Sequence, residues 1–200
     1  MLAYGMPPNN GLRLLKPALR NRPMTTVSAS TEVRLIEDGD SFEMLTGLLH
    51  RAYASLARMG LRYRATHQDA ATTRSRAAKG ECYLMFDGAR LVGTILLIPP
   101  SVRAPYCAWY DREDVAVSSQ FAVEPQLQGR GLGSQLLSFA EARASVLGAA
   151  EVAVDTAENA AHLLAFYSAR GYRQVGDAQW DHTNYRSVIL SKRLKTERSG

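Results

Sequence analysis

The spacing of apolar and polar positions divides the chain from Glu32 onward into alternating strands and helices. Residues 33–36 form a short apolar run, which predicts a strand. Between Phe42 and Met59, apolar side chains recur every three or four residues and predict a helix with one apolar face. Residues 68–78 predict a second, weaker helix. The predicted order therefore begins with one strand and two helices.

The middle of the chain predicts a hairpin, a further strand and an amphipathic helix. Two apolar runs at 82–86 and 91–98 are separated by a turn that contains Asp87-Gly88. An Asp-Gly pair between apolar runs is typical of a β-hairpin. Another strand is predicted over 115–123, and after a glycine-rich stretch the apolar positions predict a helix that ends at Gly148.

The C-terminal part predicts the remaining elements of an α/β fold. Asn159 is a candidate N-cap for a helix, and Gly171 is a typical C′ residue after which Tyr172 can pack back on the last turn. The remaining elements are a strand at 151–156, the helix at 160–170 and two final strands near 172–175 and 185–190. The sequence therefore predicts the α/β class, with a mixed central sheet of about six or seven strands flanked by about four helices.

The composition is that of one folded domain without a membrane span. The chain has 200 residues, of which 46% are hydrophobic and 22% are charged, as is usual for a globular domain. No apolar run approaches the roughly 20 residues that cross a bilayer, so we expect no membrane partner. The two cysteines, Cys82 and Cys107, have no metal-ligand spacing. We therefore expect reduced thiols, no metal site and a cytoplasmic protein.

Most of the net positive charge lies near the N-terminus. The formal net charge is +5, and residues 1–23 supply +4 of it through Arg13, Lys16, Arg20 and Arg22, with no acidic residue. The rest of the chain is nearly neutral, and we therefore do not expect nucleic acid as a partner. Association with nucleic acid through the basic segment is kept as a hypothesis, for which steep salt dependence would be the signature.

The charge and proline pattern predicts three segments. We expect residues 1–30 to form a disordered basic arm, residues 31–194 to form the folded domain and residues 195–200 to form a tail. The arm is interpreted as a phosphate-binding segment or as sequence upstream of a start at Met24, in preference to a targeting sequence.

Three glycines within five residues separate the predicted strand at 115–123 from the helix that follows. The stretch 128–134 has the sequence QGRGLGS. A strand, a glycine-rich turn and a helix direct several backbone N–H groups and the positive end of the helix dipole to one point, which favours phosphate or pyrophosphate. A P-loop is excluded because no lysine occurs between Lys79 and Lys192. A dinucleotide fingerprint is excluded because the glycines are spaced G-x-G-x-G.

Two motifs in this part of the chain resemble those of the GNAT superfamily of N-acetyltransferases. The segment Gln128-x-x-Gly131-x-Gly133 is similar to the family's Q/R-x-x-G-x-G/A signature, and it follows a strand that ends in FAVEP. The segment from Asn159 through Tyr167 to Gly171-Tyr172 resembles the family's N-x-x-A-x-x-x-Y-x-x-x-G-[FY] pattern. The resemblance extends over residues 33–194 and implies the GNAT fold.

The resemblance implies acetyl-CoA as co-substrate and assigns residues to its parts. The glycine stretch would bind the pyrophosphate, and a strand separated from its neighbour would pair its backbone with the pantetheine amides. An amide of that strand end would also polarise the thioester oxygen. Asn159 is a cofactor contact, a helix cap or both. The implied cofactor-binding residues are Phe121, Ala122, Val123, Gln128, Gly129, Arg130, Gly131, Leu132, Gly133, Ser134 and Asn159.

By the same resemblance, Tyr167 is the general acid that protonates the departing thiolate. The alternative is an interior aromatic, because Tyr167 shares a helix face with Leu163 and Phe166. The implied activity is that of a GNAT-type acyl-CoA N-acyltransferase, in which a primary amine of a small molecule or peptide attacks the thioester directly. A non-catalytic acyl-CoA-binding sensor is the alternative function, and a homodimer is left open.

The sequence leaves the general base unassigned. Many relatives have a glutamate on the strand before the pantetheine site, whereas residues 115–120 contain no carboxylate. The alternatives are a water held by Ser119 and Gln120, an acid from the preceding loop, or His182. The loop acids are Asp111, Glu113 and Asp114, and the weaker histidine candidates are His50, His67 and His162.

The expected partners are acetyl-CoA and an amine acceptor. By resemblance, residues 58–66 and 179–184 line the acceptor channel. Arg62, Tyr63 and Arg64 lie in the first of these segments. They would suit a carboxylate-bearing amine, since arginine forms paired hydrogen bonds to carboxylates. The other interpretation is a solvated helix end.

Overall fold

Seven strands pair into one mixed sheet in the computed structural model, which describes residues 31–102 and 107–194. The strands are β1 (Thr31–Leu35), β2 (Glu81–Asp87), β3 (Arg90–Ile98), β4 (Val115–Val123), β5 (Glu151–Ala157), β6 (Arg173–Gln179) and β7 (Arg186–Arg193). The helices are α1 (Phe42–Arg58), α2 (Ala70–Ala77), α3 (Leu132–Val146) and α4 (Ala161–Ser168), with 3-10 turns at Arg64–Thr66 and Pro125–Leu127. The predicted α/β class is confirmed. The predicted arm, residues 1–30, and tail, residues 195–200, lie outside the described residues.

The strand order is β1-β2-β3-β4-β5-β7-β6, and within it β4 and β5 run parallel while the other neighbours run antiparallel. The predicted hairpin is confirmed between β2 and β3, where Gly88 has a φ of 58°. β6 is longer than the predicted 172–175. It is an edge strand with no fully buried residue, so its sequence shows little of the apolar alternation that indicates a strand.

Two helices cover each face of the sheet. Side chains of α1 and α2 are buried with one face of β2 and β3, and those of α3 and α4 are buried with the opposite face. α1 begins where the hydroxyl of Ser41 accepts a hydrogen bond from the backbone N–H of Met44 at 3.2 Å, and α2 begins where Asp69 accepts from the N–H of Thr72 at 2.7 Å. Such caps satisfy N–H groups that have no partner inside the helix. Within the described residues, no helix is both long and apolar enough to cross a membrane.

β4 and β5 are paired only at their N-terminal ends. Their ladder stops at the pair of Val117 and Ala153, so residues 118–123 have no partner on β5. On its other side β4 stays paired with β3, but the register shifts between Thr94 and Leu96. Gln120, within this shift, has a φ of 47°, a left-handed conformation that non-glycine residues seldom adopt. A bulge of this kind bends the strand, and the sheet opens along the second half of β4.

The N-terminal end of α4 differs from the prediction, and its C-terminal end agrees with it. Ala160, not Asn159, is the N-cap, and no side chain caps the helix. The N–H of Ala160 donates to the carbonyl of Ala157 at 3.0 Å, so a tight turn separates Asn159 from the helix start and the predicted cap is wrong. At the other end Gly171 has a φ of 85°, and the N–H of Tyr172 donates to the carbonyl of Tyr167 at 3.2 Å. This is the predicted glycine-terminated helix end.

Candidate active site

A cleft of about 1290 Å³ lies where β4 and β5 separate. Ser118, Ser119, Gln120 and Phe121 of β4 line it on one side, and residues 154–155 of β5 line it on the other. The segment between α1 and α2 and the loop between β6 and β7 supply further lining residues. These are the two segments in which the acceptor channel was predicted.

The glycine stretch lies between the end of β4 and the start of α3. Gly129 and Gly131 have φ values of 77° and 88°, and Gly131 is the N-cap of α3. A Cβ atom at either position would meet no heavy atom within 4 Å, whereas one at Gly133 would lie 3.5 Å from the ring of Phe121. The outer side of the loop is therefore open beside the first N–H groups of a fifteen-residue helix, an arrangement that suits a phosphate group.

The other predicted cofactor-binding residues divide into exposed and buried ones. Gln128 and Arg130 are exposed, and the side-chain amide of Gln128 donates to the carbonyl of Val123 at 3.0 Å. Ala122, Val123 and Leu132 are buried, so their side chains are not accessible to a ligand. Asn159 is exposed.

Arg170 is a residue at this loop that the sequence did not indicate. Its guanidinium donates to the hydroxyl of Ser134 and lies 3.6 Å from the ring centre of Phe166. The interaction joins the end of α4 to the start of α3, and it therefore depends on tertiary structure. It adds a positive charge beside the helix N-terminus.

Tyr167 lines the cleft with only 7% of its surface exposed. Its ring contacts those of Phe166 and Tyr172 edge to face, at centroid distances of 5.3 and 5.4 Å. Burial raises the pKa of Tyr167, and the neighbouring Tyr53 and Asp155 raise it further. The hydroxyl consequently stays protonated at neutral pH and can donate a proton or a hydrogen bond.

The base candidates do not all reach the cleft. Ser119, Gln120 and His182 line it, whereas Asp111, Glu113 and Asp114 do not. The carbonyl of the Gln120 side chain accepts from Gln68 at 3.0 Å, while its amide nitrogen is buried without a partner. Burial lowers the pKa of His182, and the charges of Arg64 and Arg76 lower it further.

Asp155 is a carboxylate in the cleft that the sequence did not indicate as a functional residue. It lies on β5, where it accepts from Tyr110 at 3.1 Å, from the indole of Trp180 at 2.9 Å and from Ser187 at 3.1 Å. Its negative charge contributes to the raised pKa of Tyr167. The available signal was a charged residue inside the apolar run VAVDT, a pattern that disfavours a purely structural position.

Of the residues predicted to bind the acceptor, some line the cleft and others do not. Arg64 lines the cleft, and Arg62 does not. The hydroxyl of Tyr63 bonds Thr156 at 2.8 Å and accepts from the N–H of Ala157 at 2.8 Å, so it joins this segment to β5. Arg76 and Lys79, from α2 and the turn after it, line the cleft as well.

Comparison with known proteins gives one family. A sequence model of the acetyltransferase (GNAT) family matches residues 47–172. The chain is similar to S-(2-succino)cysteine N-acetyltransferase of Bacillus subtilis (strain 168), with 28% identity over 170 residues that cover 81% of this chain and 95% of that protein.

Solved structures show the same fold. The ribosomal-protein-S18-alanine N-acetyltransferase of Escherichia coli superposes with a TM-score of 0.63 at 15% identity, covering 83% of this chain and 95% of that one. A GNAT family acetyltransferase of Elizabethkingia anophelis with acetyl-CoA bound superposes with a TM-score of 0.57 at 16% identity, covering 82% and 98%.

Proposed function

The chain belongs to the acetyltransferase (GNAT) family and is an acyl-CoA N-acyltransferase; on this premise we propose that it transfers the acetyl group of acetyl-CoA to a primary amine. The observation that supports this proposal is the second half of β4, which has no partner on its β5 side and which leads into the glycine stretch, with Tyr167 lining the cleft beside it. The Bacillus relative is named for acetylation of S-(2-succino)cysteine, and we extend acetylation of an amine to this chain.

The residues of this site fit the parts of acetyl-CoA. Residues 129–134 would bind the pyrophosphate, with the N–H groups at the start of α3 and the guanidinium of Arg170 as donors. The backbone of residues 121–123 would pair with the pantetheine amides, since β5 leaves this part of β4 unpaired. When bound, acetyl-CoA supplies the activated acetyl group.

Tyr167 is assigned the role of general acid. Its raised pKa keeps the proton on the hydroxyl, which can donate a hydrogen bond to the developing thiolate and pass on its proton as the carbon–sulfur bond breaks. No nucleophile of the protein is needed, because the amine itself attacks the thioester.

Asp155 is assigned to the acceptor amine. A carboxylate beside the nitrogen attracts the ammonium form on arrival. After the ammonium has lost one proton, the carboxylate stabilises the positive charge that develops on the neutral amine as it attacks. Asp155 also supplies the carboxylate that β4 lacks, so the absence of a carboxylate from β4 does not favour a non-catalytic sensor. Ser119, which is half-buried in the cleft, would hold a water that takes the released proton.

We expect Asp155→Asn to lower kcat/KM for the amine by roughly 100-fold, the scale of one electrostatic contact to the transition state. The amide keeps the shape of the carboxylate but not its charge. Asp181→Asn is the matched control, because Asp181 lines the same cleft but is exposed. Initial rates of thiol release from acetyl-CoA measure the effect, and an equal response of both variants would remove Asp155 from the mechanism.

The rate is expected to rise with pH over a broad alkaline range, because the fraction of unprotonated amine increases. His182→Ala is expected to keep this profile. Burial and the charges of Arg64 and Arg76 lower the pKa of His182, while the charges of Asp155 and Asp181 act in the opposite direction. The ionisation of His182 therefore lies below the alkaline range. Ser119→Ala combined with Gln120→Ala is expected to lower the rate throughout. An ionisation at or below the usual histidine value of 6.5 that disappears in His182→Ala would identify His182 as the base instead.

The acceptor itself is best found by screening primary amines and peptides for thiol release from acetyl-CoA. Release with at least one amine, together with N-acetylation of that amine by mass spectrometry, is the expected result. Binding of acetyl-CoA without release for any amine would favour the acyl-CoA-binding sensor.

A further inference from the structure

Two arginines in the cleft have no carboxylate partner. Arg64 and Arg76 both line it, and over residues 31–102 and 107–194 neither lies within ion-pair distance of an acidic side chain. Some of the other arginines in the described residues do have such a partner, for example Arg51 with Glu124 at 2.9 Å. Arg76 is half-buried and Arg64 is exposed. A half-buried guanidinium without an acidic partner is costly unless an anion binds it.

Arg76 is held in position by neutral side chains. Its guanidinium donates to the carbonyl oxygen of Gln68 at 2.6 Å, and the amide of Gln68 donates to Gln120 at 3.0 Å and to Thr73 at 2.8 Å. Gln68 and Thr73 are buried. This network connects α2 to the bulge in β4 and fixes the guanidinium without neutralising it, which leaves donors for a ligand.

Arg64 lies close enough to Arg76 for their charges to interact. Burial lowers the pKa of Arg76, and the positive charge of Arg64 also lowers it, whereas Tyr53 and the negative charge of Asp155 raise it. Burial does not remove the charge of Arg76, because an arginine is not deprotonated in proteins. Two like charges that face the same space repel each other, and a bound anion would relieve that repulsion.

Asp155 supplies the opposite charge in the same cleft. Its three hydrogen-bond donors, Tyr110, Trp180 and Ser187, are all neutral, and among the described residues no cationic side chain lies within ion-pair distance of it. A cleft with unneutralised charges of both signs suits a ligand that carries an ammonium group and a carboxylate.

We propose that the acceptor is a small amino acid or amino acid derivative, whose carboxylate binds Arg64 and Arg76 while its amine faces Asp155. This inference rests on the proposed function for the identity of the reaction, but the carboxylate site itself does not depend on turnover. A peptide with a free N-terminal amine lacks the adjacent carboxylate and is expected to be a poor acceptor.

Binding of succinate to the enzyme tests the carboxylate site without catalysis. The two tryptophans of the chain, Trp109 and Trp180, both line the cleft, so intrinsic fluorescence reports on its occupancy. We expect a saturable change with succinate, none with the neutral analogue succinamide, and a dissociation constant raised about 10- to 100-fold in Arg76→Gln and in Arg64→Gln.

Arg74→Gln is the matched control for the binding experiment. Arg74 lies on the same helix as Arg76, but its guanidinium stacks 4.2 Å from the ring centre of Phe42 and does not line the cleft. Its succinate affinity is expected to equal that of the parent protein. No saturable binding of succinate, or equal affinity in all three variants, would overturn the inference.

The acceptor panel provides a second, kinetic test. Each α-amino acid is compared with the amine that remains after removal of its carboxylate and with a dipeptide that has the same N-terminal residue. We expect KM to rise about 10- to 100-fold on loss of the carboxylate in the parent enzyme, and this difference to disappear in Arg76→Gln. Turnover of the simple amines as good as that of the amino acids would refute the inference and leave acetyl transfer intact.

The affinity for acetyl-CoA shows whether Arg64 and Arg76 bind the carboxylate of the acceptor or a phosphate of acetyl-CoA. The arginine variants are expected to bind acetyl-CoA as the parent protein does, by calorimetry. A parallel loss of affinity for acetyl-CoA, smaller for dephospho-CoA, would show that Arg64 and Arg76 bind a phosphate of the co-substrate and would overturn the proposal. Absence of thiol release with every amine, with succinate binding as expected, would refute the proposed function but not the carboxylate site.

Discussion

Gly133→Asp is expected to abolish acetyl-CoA binding, with a rise in dissociation constant of at least roughly 100-fold. Two unit charges about 4 Å apart near a protein surface repel by about 4 kcal/mol, and that alone is close to a thousandfold in affinity. Gly133 lies in the first turn of α3, beside the N–H groups that would bind the pyrophosphate. An aspartate there would place a carboxylate in the anion site.

The fold is expected to tolerate this substitution. A Cβ at Gly133 would lie 3.5 Å from Phe121 and 3.7 Å from Phe166, which are ordinary contacts. An acidic residue in the first turn of a helix is also favourable for the helix dipole. Gly131→Asp is expected to lose binding as well, but its φ of 88° adds backbone strain to the effect of charge.

Gly133→Asn is the control that separates charge from shape. It has the size of aspartate without the charge and is expected to bind acetyl-CoA more tightly than Gly133→Asp by at least about tenfold. Isothermal titration of acetyl-CoA into each folded variant gives the comparison. Affinity equal to that of the parent protein in both aspartate variants would place the pyrophosphate elsewhere.

Tyr167→Phe is expected to lower turnover by roughly 10² to 10⁴-fold, the contribution of a positioned general acid. Phenylalanine keeps the ring contacts with Phe166 and Tyr172 and removes only the hydroxyl. The dissociation constant of acetyl-CoA is therefore expected to change by less than about threefold, because the loss concerns the transition state rather than binding.

Tyr172→Phe is the matched control for Tyr167→Phe, because it also removes the hydroxyl of a buried tyrosine. Tyr172 is buried next to Tyr167, but its hydroxyl donates to Glu141 at 3.1 Å. This variant is expected to lose about 1 kcal/mol of stability and to keep its turnover. If Tyr167→Phe turns over an identified acceptor as fast as Tyr172→Phe does, Tyr167 is an interior aromatic and not the general acid.

The elements that the sequence predicted well are those whose signal is local. The hairpin at Gly88, the glycine stretch and the helix end at Gly171 each depend on a few adjacent residues with a required backbone conformation. β6 was shorter in the prediction because an exposed edge strand has weak apolar alternation. Asn159 failed as a cap because one extra residue, Ala160, precedes the helix and occupies the cap position.

The site residues that the sequence missed are brought together by topology. Asp155 faces the cleft because β5 turns away from β4 at Ala153, and Arg76 faces it because α2 packs beside the bulge at Gln120. Neither residue lies in a motif. The carboxylates that the sequence offered as base candidates lie in the loop before β4, whereas Asp155 is on the neighbouring strand β5. The sequence VAVDT marks Asp155 as unusual, but its position in the cleft follows only from the strand order.

The short ladder between β4 and β5 would make the stability of the fold depend on bound acetyl-CoA. Three residue pairs join two half-sheets, one of β1–β4 and one of β5–β7, so a co-substrate bound along β4 would complete an interrupted network of hydrogen bonds. A ligand that binds only the native state at 100 times its dissociation constant adds about 2.7 kcal/mol to the free energy of unfolding. Resistance to unfolding and to proteolysis would then follow the supply of acetyl-CoA, and the protein would persist longest when its co-substrate is abundant.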